Sequence, residues 1–160
     1  MKLVKVETSQ GCLGKNIGCE EAPERIINEL RENIWSTENN KQIEFGIGKV
    51  DVVKSNIDET NRNIEKTNGD IFIGGDHSIT YPLFKGFAKN FKNPGLIVFD
   101  AHPDCYLEEF LNHENWVAYL IKDGIVKGEN IILIGIRNSD VKELEFIKEN
   151  NIKSFDMKKV

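Results

Sequence analysis

Cysteine is scarce in this 160-residue sequence: Cys12, Cys19 and Cys105 make an odd number at irregular spacing. That excludes a disulfide framework and fits a reducing compartment, so a cytoplasmic protein is expected. No CxxC pair accompanies Cys12 and Cys19, which sets aside a thiolate metal site there. A basic cluster is absent too. The Lys and Arg residues are scattered among acids and the net charge is −5. Nothing could neutralise a run of phosphates, so nucleic acid is excluded as a partner. No apolar stretch approaches a bilayer span, and Met1–Val6 is too short for a secretory leader, so no membrane association is expected. Internal repeats, low-complexity segments and linkers are also missing. With 29% charged and 39% hydrophobic residues, the composition is globular, and the length suits a single domain over 1–160.

Apolar runs alternate with amphipathic ones. Leu3–Val6 reads as a strand. A glycine-rich loop with Gly11, Gly14 and Gly18 then leads to a helix from Ala22 to Ile34, with Pro23 in its first turn. Ile26, Ile27, Leu30 and Ile34 recur at helical spacing and are expected to pack into the core. Ile43–Val53 is β-rich but broken by Gly46 and Gly48. Asp58–Lys66 is a polar helix candidate, and Ile71–Ile73 a short buried strand. Further helices are expected from Ser78 or Ile79 to Asn90, with Ser78 as cap, from His113 to Asp123, and from Asp140 to Glu149. Strands are expected at Leu96–Asp100, Ile131–Ile136 and Ile152–Phe155. This alternation implies βαβ units and a mostly parallel sheet covered on both faces.

The pentad Asp100-Ala101-His102-Pro103-Asp104 closes the apolar run Gly95–Phe99. In an extended segment its two carboxylates and imidazole, at alternate positions, project to one side. Pro103 biases His102 away from the helical region, which favours that extension. Carboxylate and imidazole ligands are what a divalent metal takes. His77 ends another apolar strand, and open α/β sheets bind ligands at the carboxyl ends of their strands. Taken singly, an aspartate there caps a helix or a turn, and a histidine is a satisfied structural residue. Only the joint pattern carries a metal site. Gly74-Gly75 permits the sharp turn that presents His77. Asp76 is assigned a supporting hydrogen bond to backbone or to a ligand.

The motifs GGDHS at 74–78 and DAHPD at 100–104, in this order and spacing, resemble the ureohydrolase family, which comprises arginase, agmatinase and formiminoglutamase. Gly14–Pro23 is similar to that family's N-terminal glycine-rich stretch, and Ile132–Arg137 to its later strand ending in Gly-Ile/Leu-Arg. The resemblance covers most of the chain. It implies a three-layer α/β/α, arginase-like fold with a mostly parallel sheet. It also implies a dinuclear manganese site whose bridging hydroxide attacks a guanidinium or amidine carbon. By motif position, His77, Asp100 and Asp104 hold one ion and His102 the other, with Asp100 bridging. Two Lewis acids lower the pKa of shared water, and this donor set suits manganese without excluding zinc, iron or nickel.

By the same resemblance His113 corresponds to a histidine that shuttles protons to the leaving amine, work natural to imidazole near neutral pH. The loop after Asp104 is shorter than in arginases and carries Glu108 and Glu109 where they carry an Asn- and Ser-containing substrate stretch. His113 could instead start a helix, and the two glutamates form an exposed acidic pair rather than a contact for a cationic tail. The implied substrate is a small cationic guanidino or amidino compound: arginine, agmatine, a guanidino acid or formiminoglutamate.

The family's downstream strand ending in Asp-x-Asp does not occur in these residues. Ser154–Met157 corresponds to the segment before it, so Asp156 is not a ligand, and the glutamate that orients the guanidinium is also absent. His77, Asp100, His102 and Asp104 therefore make part of the ligand set, and the C-terminal portion of the family fold is expected to be missing. Three readings follow: half of a split enzyme, a truncated product, or a reduced relative that is non-catalytic or binds a single metal and acts in assembly. A parallel sheet cut there exposes an edge, which predicts a homo-oligomer or a complementing C-terminal polypeptide. A dinuclear phosphoesterase would explain Asp100-x-His102 and Asn112-His113-Glu114, but its GDxxD element is absent and GGDHS is left over. A single-zinc deacetylase shares Asp-x-His without predicting DAHPD together with GGDHS.

Overall fold

The computed structural model describes residues 1–32 and 44–158. Ile34 and Ile43, assigned above to a helix and a strand, lie outside the described residues. The chain divides into two compact units, Met1–Ile79 and Thr80–Val160.

In the first unit, β1 (Lys2–Val6) lies between β2 (Gly46–Lys49) and β3 (Ile71–Gly74), and both pairings are parallel. Leu3, Val4 and Val6 are buried, as a central strand with cover on its faces requires. Helix α1 (Ala22–Glu32) begins with Pro23 in its first turn and packs on β1 and β3. Its core face is narrower than its periodicity suggests. Pro23 and Ile27, four residues apart, are buried, whereas Ile26 and Leu30 are 43% and 37% exposed. Ile26 adjoins Ile27 in sequence and so turns about 100° away from it, which corrects the expected four-residue stripe. Helix α2 (Ile57–Lys66) is capped by Asn56, whose side chain accepts from the Glu59 N–H at 3.0 Å, and it buries Thr60 and Ile64.

In the second unit, β5 (Ile131–Ile136) lies between β4 (Leu96–Phe99) and β6 (Lys153–Asp156), again all parallel. Phe84 of α3 (Thr80–Ala88), Trp116, Val117 and Leu120 of α4 (Trp116–Lys122) and Ile147 of α5 (Val141–Glu149) share one buried cluster with Val98, Ile131 and Leu133. Asp140 caps α5 in a capping box with Glu143. Alternate strand residues face opposite sides of a sheet, so Ile97, Phe99, Ile132, Ile134 and Phe155 share the other face. There Ile97 and Phe99 are 59% and 78% exposed. The expected cover on both faces is thus found on one face of this sheet among the described residues.

Two boundaries move for local reasons. Helix α3 is preceded by a single 3₁₀ turn at His77–Ile79, and the cap of that turn is Asp76, not Ser78: an Asp76 carboxylate oxygen accepts from the Ser78 N–H at 2.9 Å. Helix α4 begins at Trp116 rather than His113, because the Asn115 side chain accepts from the Asn112 N–H at 2.8 Å and winds 112–115 into a turn. Parallel strands alternating with helices give the α/β class expected from the sequence. No helix among the described residues is long and apolar enough to cross a membrane.

Candidate metal centre

His77 follows β3 at the carboxyl end of the first unit's sheet and is half-buried at the start of the 3₁₀ turn. Its approach is shaped by lack of room. A Cβ on Gly75 would stand 2.2 Å from the Thr8 carbonyl oxygen and 3.1 Å from the Glu20 backbone. Neither glycine of the Gly74-Gly75 pair has the positive φ that only glycine favours, so close packing rather than conformational freedom is the reason for Gly75. Asp76 is buried, and its two oxygens accept from the Gly11 N–H at 3.1 Å and the Ser78 N–H at 2.9 Å. The supporting role assigned to Asp76 is therefore exercised on backbone, fastening the glycine-rich loop to the turn that carries His77.

Asp100 follows β4 in the second unit. Its N–H continues the ladder to the Ile134 carbonyl at 3.1 Å, and its Oδ1 accepts from the His102 N–H at 2.9 Å. The Ala101 carbonyl accepts from the N–H groups of Arg137 and Asn138 at 2.9 and 3.0 Å, tying the pentad to the exit of β5. Asp104 has φ +50°, a left-handed conformation that aspartate tolerates better than most residues. The pentad is thus a turn, not the extended tip that alternation suggests: β4 stops at Phe99 and the chain bends over Ala101 and His102. The bend still unites the carboxylates, since Asp100 and Asp104 offer oxygens within 4.8 Å of each other.

Asp104 is 7% exposed. Its Oδ2 accepts from the indole N–H of Trp116 at 2.7 Å, and its carbonyl accepts from the Val117 N–H at 3.2 Å. The next N–H, of Cys105, donates to buried Glu143 at 3.1 Å. The Cys105 thiol is pushed above the usual thiol range, first by burial and then by the neighbouring carboxylates of Glu143 and Asp104.

His102 is more exposed. Its Nδ1 lies 3.6 Å from Asp100 Oδ1, and its Nε2 is 3.0 Å from the Asn138 amide nitrogen. Phe99, Asp100, His102, Ile134 and Arg137 line a cleft of about 510 Å³ at the carboxyl ends of β4 and β5. His113 sits in the turn before α4, half-buried, with Nε2 3.5 Å from Glu114 Oε1. Glu108 and Glu109 are exposed, and their carbonyls accept from the Tyr119 hydroxyl at 3.0 and 2.7 Å. Trp116 and Glu143 were not found by motif. The capping-box spacing from Asp140 to Glu143 was readable, but not its reach to Cys105, 38 residues away.

The model of the Arginase family matches residues 6–160. The chain belongs to this family. Among curated relatives, the arginase of Staphylococcus aureus (strain MRSA252) is 34% identical over 122 residues, covering 68% of this chain and 40% of that protein. Among solved structures, formimidoylglutamase from Bacillus subtilis subsp. subtilis str. 168 has a TM-score of 0.85 at 22% identity, over 98% of this chain and 54% of that one. Trypanosoma cruzi formiminoglutamase, crystallised with manganese, has a TM-score of 0.86 at 13% identity, over 99% of this chain and 60% of that one. The arginase-like fold, a three-layer α/β/α architecture, is thereby established for the chain. It spans about half the length of these family members.

Proposed function

We propose that this arginase-family chain contributes the metal-binding portion of a manganese-dependent hydrolase that cleaves the C–N bond of a guanidino or amidino compound. The paired carboxylates of Asp100 and Asp104, within 4.8 Å in a chain matched by the family model over 6–160, carry the reading. Hard oxygen donors with one buried member are a donor set that fits manganese. In this reading His77, Asp100 and Asp104 would hold one ion, and His102 together with Asp100 would hold a second. When bound, the ions supply the Lewis acidity that makes hydroxide available near neutral pH. Asp76 and Gly75 hold the loop of His77, Trp116 and Val117 hold Asp104, and His113 carries a proton toward the leaving amine. The substrate is a small cation such as arginine, agmatine, a guanidino acid or formiminoglutamate.

The site residues fall short of a full dinuclear set, so the same reading includes a complementing C-terminal polypeptide or self-association. The uncovered Ile97 and Phe99 on β4, an edge strand among the described residues, support that. The sparing use of cysteine supports action in the cytoplasm, and the length suits a single domain. The alternative, a non-catalytic subunit that binds a single metal and acts in assembly, rests on the same partial ligand set. Metal analysis combined with urea and ammonia release from arginine, agmatine and formiminoglutamate tests both. Manganese binding with turnover on adding the complementing polypeptide supports the hydrolase. Binding without turnover under every pairing supports the assembly subunit, and no binding overturns the metal centre.

A further inference from the structure

Asp104 is a tightly constrained candidate ligand, held by groups from two helices. A non-glycine residue at φ +50° persists where its surroundings over-determine it. Here the surroundings are specific. The fully buried indole of Trp116 donates to Asp104 Oδ2 at 2.7 Å. The next N–H of α4, that of Val117, donates to the Asp104 carbonyl at 3.2 Å. From α5, Glu143 takes the Cys105 N–H on Oε1 at 3.1 Å while its Oε2 accepts from the Asp140 N–H at 3.0 Å. A carboxylate buried at 8% exposure is costly unless hydrogen-bonded, and both Glu143 oxygens are used.

We infer that Trp116 and Glu143 are positioning residues that clamp Asp104 in its metal-binding orientation, Trp116 through the carboxylate itself and Glu143 through the backbone that follows it. The inference rests on the proposed metal role of Asp104. An indole donor fixes the carboxylate plane and leaves its charge intact, since indole only donates. Outer partners of this kind set ligand orientation, and their loss typically weakens metal affinity about 10- to 100-fold.

The test is the Mn2+ affinity of the intact chain, read from the free-ion paramagnetic resonance signal, for the wild type, Asp104→Asn, Trp116→Phe and Glu143→Gln, with folding checked by circular dichroism. The expected result is binding by the wild type, loss in Asp104→Asn, and weakening of about 10-fold or more in Trp116→Phe and of smaller size in Glu143→Gln. Wild-type affinity in both folded clamp variants, with Asp104→Asn still defective, overturns the clamp and leaves the metal reading standing. No binding by the wild type overturns both. Because Trp116 is buried and Trp116→Phe risks unfolding, the wild-type indole N–H resonance gives a second readout. It is expected to shift on adding Zn2+, a diamagnetic ion, and to keep its position in Asp104→Asn under the same addition. An indole signal unmoved by Zn2+ in the wild type overturns the clamp.

Discussion

The two turns that carry the candidate ligands stand at equivalent places, the carboxyl ends of parallel strands, and are held by different means. The His77 turn is held by close packing of backbone on backbone, with Gly75 against the Thr8 carbonyl and Asp76 bridging Gly11 and Ser78. The Asp100–Asp104 turn is held by side chains from helices that follow later in the sequence, Trp116 of α4 and Glu143 of α5. The first kind of anchor fails when volume is added at Gly75 or an Asp76 acceptor is lost. The second fails when a donor or acceptor is removed.

Substitutions that break one turn and spare the other sharpen this contrast. The largest effect is expected from Trp116→Ala, which deletes a fully buried side chain and the Asp104 donor together. It should cost about 3–5 kcal/mol in chemical denaturation. Gly75→Ala places a methyl against backbone that cannot yield, and a loss of about 3 kcal/mol is expected in the same assay. Asp76→Asn keeps the shape but presents an amide donor to one of two N–H groups, with an expected cost of about 1–3 kcal/mol. If Asp76→Asn were neutral, the turn would be held by the glycine packing alone.

The smallest effect concerns the end of β1. Lys49, ahead of Lys5, holds the Glu7 carboxyl below its usual range, despite opposing desolvation. Because the folded pKa is depressed, the stabilisation is present above the unfolded carboxylate value near 4.3 and is lost as pH falls through the lower folded one. Glu7→Gln should therefore remove less than about 1 kcal/mol at neutral pH and nothing in acid, since Lys49 is more than half exposed. Denaturation midpoints of the two proteins against pH measure this, and a difference that grows in acid would contradict it.

Much of the fold was legible because its signals are local. The apolar run Ile131–Ile136 marked β5, the run Leu3–Val6 marked β1, and the stretch from Asp140 to Glu149 marked α5. The motifs likewise located His77 and the pentad at strand ends and led to the family. What stayed hidden depends on partners distant in sequence. Periodicity could not say that α1 buries Ile27 but not Ile26 or Leu30, because the width of a buried stripe is set by what packs against it. Alternation along the pentad was misleading because Asp104 leaves the extended region, held there by Trp116, 12 residues away, and by Glu143, which takes the N–H of the following Cys105. Glycine was correctly read as necessary at Gly75, though for space rather than for an unusual φ.

The central proposal is the role of His77, Asp100 and Asp104 as metal ligands. Equilibrium Mn2+ binding to the chain, compared across the wild type, His77→Asn, Asp100→Asn and Asp104→Asn, tests it most directly. The account predicts that the wild type binds and that each substitution alone weakens binding by at least about 10-fold, as loss of a ligand should. A wild type that takes up no Mn2+, or three variants that bind as well as it does, would contradict the account.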